Sequence, residues 1–373
     1  MNIQSPYTRI GGVELFTFTY CSAVTIGFIF LPYISSEEIR SAWLKVIVAV
    51  IPYLLFIYLY KKVVTKHNDR DVLHLFKDMT SPWIYYFVIT YLFASTIYSI
   101  FFGTKGLIII VQTYLMQDTP QWTIGMFFLL VIGLSASYGI HAITRMIVII
   151  FFHEIILFIS LVLFIFSDDF KWINIPPFLT VDIGTFLVSS ISEVTRYGGI
   201  IALFAYLPFV DKKVKVFRPI TLSVIFIMFT YFLICLVTLG VFGFDQALTM
   251  LSPVTALMQT TTSPTGLFER LDLFFLTVWV MSFFKIGLIF VWFSSMLLKE
   301  IIPLKVKNYW VQIWIIITIS TLIVISTPSI VNLDWRPYNI NMLSYTLFVP
   351  VMMFLYLLIR KKQGVGQNEN KSQ

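Results

Sequence analysis

Ten apolar runs, each about long enough to cross a bilayer as a helix, punctuate this chain. They cover residues 13–34, 42–60, 83–115, 122–138, 146–166, 183–209, 219–242, 271–298, 309–327 and 342–359. Composition agrees, with 58% hydrophobic and 12% charged residues, where a soluble domain carries about 25% charged. No single water-soluble core accounts for that balance at this length. The expectation is an all-α integral membrane protein with ten transmembrane helices. Residues 1–12 form a cytoplasmic N-terminus, 13–360 one membrane domain, and 361–373 a polar cytoplasmic tail.

Loop charge gives the orientation. With the N-terminus inside, most of the 26 Lys and Arg fall in inside segments, among them Lys61, Lys62, Lys66, Arg70, Lys212, Lys213, Lys215, Arg218, Arg360 and Lys361. Outside segments and their edges hold Arg40, Lys45, Lys171, Arg270 and Arg336. The alternation puts both termini in the cytoplasm. The formal net charge of +7 then reflects membrane orientation and not nucleic acid. Cys21 and Cys235 lie inside apolar runs without metal-ligand spacing, so neither a disulfide nor a metal site is expected. The first run is too long for a signal peptide and lacks a cleavage site. No phosphate loop or HExxH is present, the four histidines are scattered, and neither an enzyme nor a cofactor is implied.

A weak internal repeat refines the topology. Leu31-Pro32 ends the first run, and Leu207-Pro208, about half a chain later, ends the sixth. Five runs separate the copies, so they point in opposite directions. Repeats of about 13–166 and 183–360 would form a 5+5 inverted arrangement with a small-molecule site where their leading helices meet. The long loops match too: 61–82 lies inside and 243–270 outside, each with a late Ser-Pro. The third run, at roughly 1.5 Å per residue, is too long for the bilayer. It must tilt, protrude or break near Gly103 and Gly106.

Mid-membrane polar groups mark the candidate site. Non-helical backbone survives there only within protein or against a cavity. In the first run Ser22, Ala23, Val24, Thr25, Ile26 and Gly27 make the best candidate break. The sixth run is the most polar at its centre, with Ser189, Ser190, Ser192, Glu193, Thr195, Arg196, Tyr197, Gly198 and Gly199. Glu193 and Arg196 are three apart, so a continuous helix puts them on one face. They are either a ligand- or proton-binding pair or a neutralised pair that holds the bundle together. Glu154 beside His153 in the fifth run, and Lys285 in the eighth, are further intramembrane charges. Lys285 could balance Glu154 or Glu193. Lys105 suits an interfacial role, and Glu269-Arg270-Leu271-Asp272 suits a helix cap or an outer gate. Tyr98, Ser99, Phe102 and Ser282 are ligand contacts chosen by depth in their runs.

These features resemble the amino acid/polyamine/organocation superfamily. Leu267-Phe268-Glu269-Arg270-Leu271-Asp272 leading into a helix with Trp279 resembles, more specifically, the spore germination permease family, the B subunits of nutrient germinant receptors. The resemblance implies a LeuT-like fold with broken first and sixth helices. It also implies a nutrient germinant such as an amino acid, A and C partner subunits, and residence in the spore's inner membrane among its lipids. Superfamily carriers often have a Gly-rich first break and Gly-Phe-Glu in the sixth helix. Here stand Ser22-Ala23-Val24-Thr25-Ile26-Gly27 and Ser190-Ile191-Ser192-Glu193. Matching Glu193 puts the unwound turn near Ser189–Ser192, whereas the repeat offset maps Ser22 to Gly198. The expected site lies between the first, third, sixth and eighth helices. A ligand carboxylate would meet amides near Ala23–Gly27, and its amine the sixth-helix carbonyls or Glu193. An autonomous proton-coupled amino acid carrier titrating Glu193, Glu154 or Lys285 is the alternative, with a membrane scaffold third.

Overall fold

Without water to receive backbone N–H and C=O groups, a spanning chain must close its hydrogen bonds within itself. The computed structural model, which describes residues 10–24, 31, 40–177, 180–250, 253–260, 271–302, 308–326 and 335–360, is helical throughout its regular elements. Residues 25–30 and 261–270, which contain Thr25, Ile26, Gly27, Glu269 and Arg270, lie outside the described residues.

The helices are α1 (Gly12–Ala23), α2 (Ala42–Val48), α3 (Ile51–His67), α4 (Val72–Met79), α5 (Pro82–Tyr114), α6 (Gln121–Ala136), α7 (Ile140–Phe164), α8 (Ile183–Val194), α9 (Leu203–Tyr206), α10 (Phe217–Thr249), α11 (Pro253–Thr260), α12 (Leu271–Ile301), α13 (Asn308–Ile325), α14 (Trp335–Leu343) and α15 (Val349–Ile359). A 3₁₀ segment, Thr195–Ala202, joins α8 to α9, and a π-helical turn, Ser344–Phe348, joins α14 to α15. Among the described residues six helices are long and apolar enough to cross a membrane, and α6 and Trp310–Ile325 are shorter apolar helices. The count of ten therefore does not emerge directly: α6 and Trp310–Ile325 are short, α1, the described helix of the first run, has 12 residues, and the sixth run is divided among α8, the 3₁₀ segment and α9.

Surface composition explains the environment. On α7, Ile143, Ile147, Phe151, Leu157 and Leu161 are buried, while Ile149, Phe152, Ile156, Ile159 and Leu163 are exposed at helical spacing. A helix apolar on both faces fits a bundle packed inward and bathed in lipid. Where the chain leaves that environment, polar devices return. The Glu14 carboxylate accepts from the Gly11 N–H at 3.1 Å, and Asp182 accepts from the Thr185 N–H at the start of α8.

Several boundaries have local causes. Pro52 in the first turn of α3 coincides with the turn at Ala49 and Val50 that divides the second run, because proline supplies no N–H. The third run is one unbroken helix of 33 residues, about 50 Å long, that continues through Gly103 and Gly106. The inside loop 61–82 contains α4, which buries Val72, Leu73, Leu75, Phe76 and Met79. The fifth helix begins at Ile140, six residues before its apolar run, because Gly139 at φ 85° turns the chain into it. That left-handed backbone disfavours a side chain. Gly139→Ala should lower stability by about 1–2 kcal/mol, read as an earlier unfolding midpoint in detergent.

The two leading helices are joined at one end of the bundle. Ile10 and Val210 form an isolated parallel bridge, and the Asp211 N–H donates to the Ile10 carbonyl at 3.0 Å. Arg70 clamps this loop, donating to the carbonyls of Val210, Asp211, Lys212 and Val214. Lys77 and Tyr85 both donate to Glu300 at the end of α12, at 2.9 and 2.8 Å.

Candidate functional site

α1 ends where its sequence turns small and polar. Thr19 and Ser22 return their hydroxyls to the carbonyls of Leu15 and Thr19. At Val24 the backbone leaves the helix for an extended conformation, φ −77° and ψ 99°. Ser22, Ala23 and Val24 are all buried. The end at Ala23 is a helix C-terminus, whose dipole favours cations, not anions. The amides of Ala23 and Val24 are therefore not the expected carboxylate contacts: they close the last turn of α1, the Val24 N–H donating to the Tyr20 carbonyl at 3.0 Å.

The sixth run behaves differently. Its centre does not open into an extended break but tightens from α-helix into 3₁₀ at Thr195, with helical φ and ψ at both ends of the segment. Ser189, Ser190, Ser192 and Thr195 each return a hydroxyl to the preceding turn of their own helix. Local hydroxyl bonding of this kind competes with the regular ladder and bends helices. The unwound turn expected near Ser189–Ser192 is not there: α8 runs through it to Val194 and the chain then tightens.

α1 and the 3₁₀ segment meet at a glycine. A β-carbon on Gly199 would overlap the carbonyl of Ser22. Gly198, the partner suggested by the repeat, faces Met342 and Thr346 on the tenth run instead. Tyr231 of α10 donates to the carbonyls of Ala23 at 3.0 Å and Arg196 at 3.3 Å, stitching the two helix ends together. Tyr231→Phe should cost about 1–2 kcal/mol, more than Thr221→Ala on the same helix. Thermal unfolding in detergent checks both.

Two buried ion pairs flank this junction. Arg196 pairs with Glu193 across one helical turn. Lys45 is fully buried on α2, within electrostatic reach of both, although its run placed it at an outer edge. The second pair joins separate helices: the Lys285 ammonium donates to both oxygens of Glu154, and Ser282 donates to one of them. The Lys285 nitrogen also lies 5.4 Å from the Tyr20 ring centroid, over α1. Thus α1, α7 and α12 share one charged contact close to the α1 break. Neighbouring His153 is exposed and bonds back to the Ile149 carbonyl, so it takes no part.

The remaining candidates point elsewhere. The Ser99 hydroxyl lies 2.8 Å from the Ser95 carbonyl and 3.3 Å from the Met342 sulfur, and Phe102 stacks on Tyr338 at 4.2 Å. Tyr98 neighbours the same Tyr338 ring. These third-run residues therefore meet α14, which leads into the tenth run and is absent from the expected set. Tyr197 donates to the Val46 carbonyl on α2 at 3.2 Å. Ser282 belongs to the Glu154 pair.

Sequence reasoning overlooked Gly199 as the contact, Tyr231, Lys45 and the tenth run. A Tyr in mid-span was the available signal for Tyr231; Lys45, near the edge of its run, gave none. The buried indole N–H of Trp279 and amide nitrogen of Asn341 find no acceptor among the described residues. Such groups are satisfied by water or a ligand. Two internal cavities lined by described residues are small, about 20 Å³ beside Tyr20, Val24, Glu154 and Thr230, and about 10 Å³ beside Ser99 and Phe283. Each has the scale of a single water. Among the described residues no three His, Cys, Asp or Glu side chains converge as a metal site would require.

Long apolar helices and buried ion pairs define a helical integral membrane protein. A manganese transporter of Eremococcus coleocola, solved in two mutant forms, superposes on 96% of this chain and 79% of its own, with TM-scores of 0.56 and 0.50 at 10% and 11% identity. At that identity only the fold is shared. The chain belongs to the spore germination protein family, whose model matches residues 9–330. It is 22% identical to spore germination protein B2 of Bacillus subtilis (strain 168) over 334 residues, 88% of this chain and 89% of that one. Spore germination protein A2 of the same organism is 24% identical over 283 residues, covering 73% and 74%.

Proposed function

We propose that this chain is the membrane subunit of a nutrient germinant receptor. It binds a small nutrient, most simply an amino acid, at mid-membrane and signals to A and C subunits in the spore's inner membrane. The arrangement is a LeuT-like 5+5 inverted repeat of ten crossings, residues 13–166 and 183–360, with both termini cytoplasmic. One observation carries this reading: α1 stops inside the bundle, its last carbonyls against the 3₁₀ segment of the sixth run and beside the Glu193–Arg196 pair. The helix end supplies carbonyls for a ligand ammonium. The carboxylate contacts expected at Thr25, Ile26 and Gly27 lie outside the described residues. No chemical step is assigned to it.

Germination of spores lacking the gene, screened one nutrient at a time and repeated with Glu193→Gln, tests this reading. Loss of response to a single nutrient on deletion, and a shifted concentration dependence in Glu193→Gln, is expected. An unchanged nutrient profile would sink the receptor reading.

A second reading draws on the buried Glu154–Lys285 pair and the transporter fold: a proton-coupled amino acid carrier working alone. Net, proton-driven accumulation of an amino acid by the purified chain in vesicles would favour it. Strict dependence on A and C subunits favours the receptor.

A further inference from the structure

One exposed stripe of α3 changes character along its length. Ile51, Leu54 and Leu55 are exposed apolar residues, Tyr58 follows one turn on, and Lys61, Lys62 and Thr65 complete the same face at helical spacing. At the polar end this face and Leu358 of α15 line a groove of about 410 Å³, formed by Tyr58, Lys61, Lys62, Thr65, Lys66 and Leu358. On the α15 side, Leu355 and Ile359 are exposed apolar residues.

The groove is built rather than incidental. Lys66 reaches across it and donates to the carbonyls of Leu358 at 2.6 Å and Arg360 at 2.8 Å, with Leu357 at 3.4 Å. His67 bonds the Leu357 carbonyl at 3.0 Å. These contacts hold the end of α15 against α3 and consume the Lys66 donors. Lys62 rests over the Tyr58 ring at 4.6 Å, which leaves its ammonium and that of Lys61 at the groove mouth. A phospholipid has the same sequence of chemistry: acyl chains, an interfacial glycerol, then a phosphate. From Leu54 to Lys62 is eight residues, roughly 12 Å along the helix, so apolar chain and phosphate fit one molecule. Basic grooves between helices are suited to anionic headgroups.

We propose that the groove between α3 and α15 binds one anionic phospholipid, its phosphate on Lys61, Lys62 and Thr65 and its acyl chains along Leu54 and Leu55. The placement in the cytoplasmic leaflet rests on the orientation proposed above; the chemistry of the site does not.

Native mass spectrometry of the full-length protein, purified with a mixture of phosphatidylglycerol and phosphatidylcholine, tests the site. The wild type should retain one phosphatidylglycerol at least tenfold over phosphatidylcholine. Lys61→Gln/Lys62→Gln should abolish the preference, and Lys61→Arg/Lys62→Arg should keep it. Lys212→Gln/Lys213→Gln, in a different loop, should leave it unchanged. Equal loss in the Lys212/Lys213 variant would mean a diffuse surface field and overturn the proposal, as would retention in the Lys61/Lys62 glutamine variant. Displacement by millimolar inorganic phosphate would assign the groove to free phosphate instead. A photoactivatable phosphatidylglycerol on the wild type reads the question even if the glutamine variant fails to fold. Crosslinks within residues 54–65 support the site, and crosslinks confined elsewhere reject it.

Discussion

Gly199→Ala should disable this protein, whereas Gly106→Ala should be tolerated. At Gly199 a single methyl group meets the Ser22 carbonyl, which is backbone and cannot rotate away. The end of α1 or the 3₁₀ segment must shift, and Tyr231, which donates to both Ala23 and Arg196, must lose at least one bond. Overpacking of a fixed core costs about 1–3 kcal/mol, and the lost hydrogen bond adds about 1. At Gly106 nothing lies within 4 Å of the added carbon, and the residue sits inside α5. There alanine should stabilise the helix by about 1 kcal/mol. Unfolding midpoints in detergent and nutrient response, measured side by side, check the pair. A Gly199→Ala protein with wild-type stability and response would show that the two helix ends do not meet as described.

Removing one partner of the Glu154–Lys285 pair should be worse than removing both. Both side chains are buried, Lys285 completely, and Ser282 donates to the same carboxylate. Breaking a buried pair typically costs about 3–5 kcal/mol, because the remaining charge is stranded; replacing both by neutral groups is often close to neutral. Glu154→Gln and Lys285→Met should each lower stability by that order. Glu154→Gln/Lys285→Met should recover much of it. Function separates structure from mechanism. A stable double variant that still answers nutrient reduces the pair to a strut between α7 and α12. A stable double variant that has lost its response makes the pair part of the conformational change.

The membrane class and the approximate place of the six long apolar helices were legible because they rest on local quantities. Run length and mid-span polar residues are each readable within a few turns. Pairing of Glu193 with Arg196 was readable for the same reason, since residues three apart on a helix share a face. The Glu154–Lys285 pair was readable only as a short list, since an isolated intramembrane charge needs a partner but does not say which. Tyr98, Ser99 and Phe102 were chosen by depth alone, and depth does not fix rotation about the helix axis; α5 turns them toward Tyr338 and Met342. The sixth run misled in a different way. Its serines suggested opened backbone, yet each hydroxyl bonds one turn back along the helix and the chain tightens instead.

What the sequence determined by itself was solvent and periodicity: a helical chain in lipid, interrupted near Ser22 and crowded with polar groups near Glu193. Tertiary structure decided who meets whom. Ser22 meets Gly199 rather than Gly198, and Lys285 meets Glu154 rather than Glu193. The reason is physical. Hydropathy is set residue by residue, whereas the azimuth and approach of two packed helices depend on side chains from every element around them.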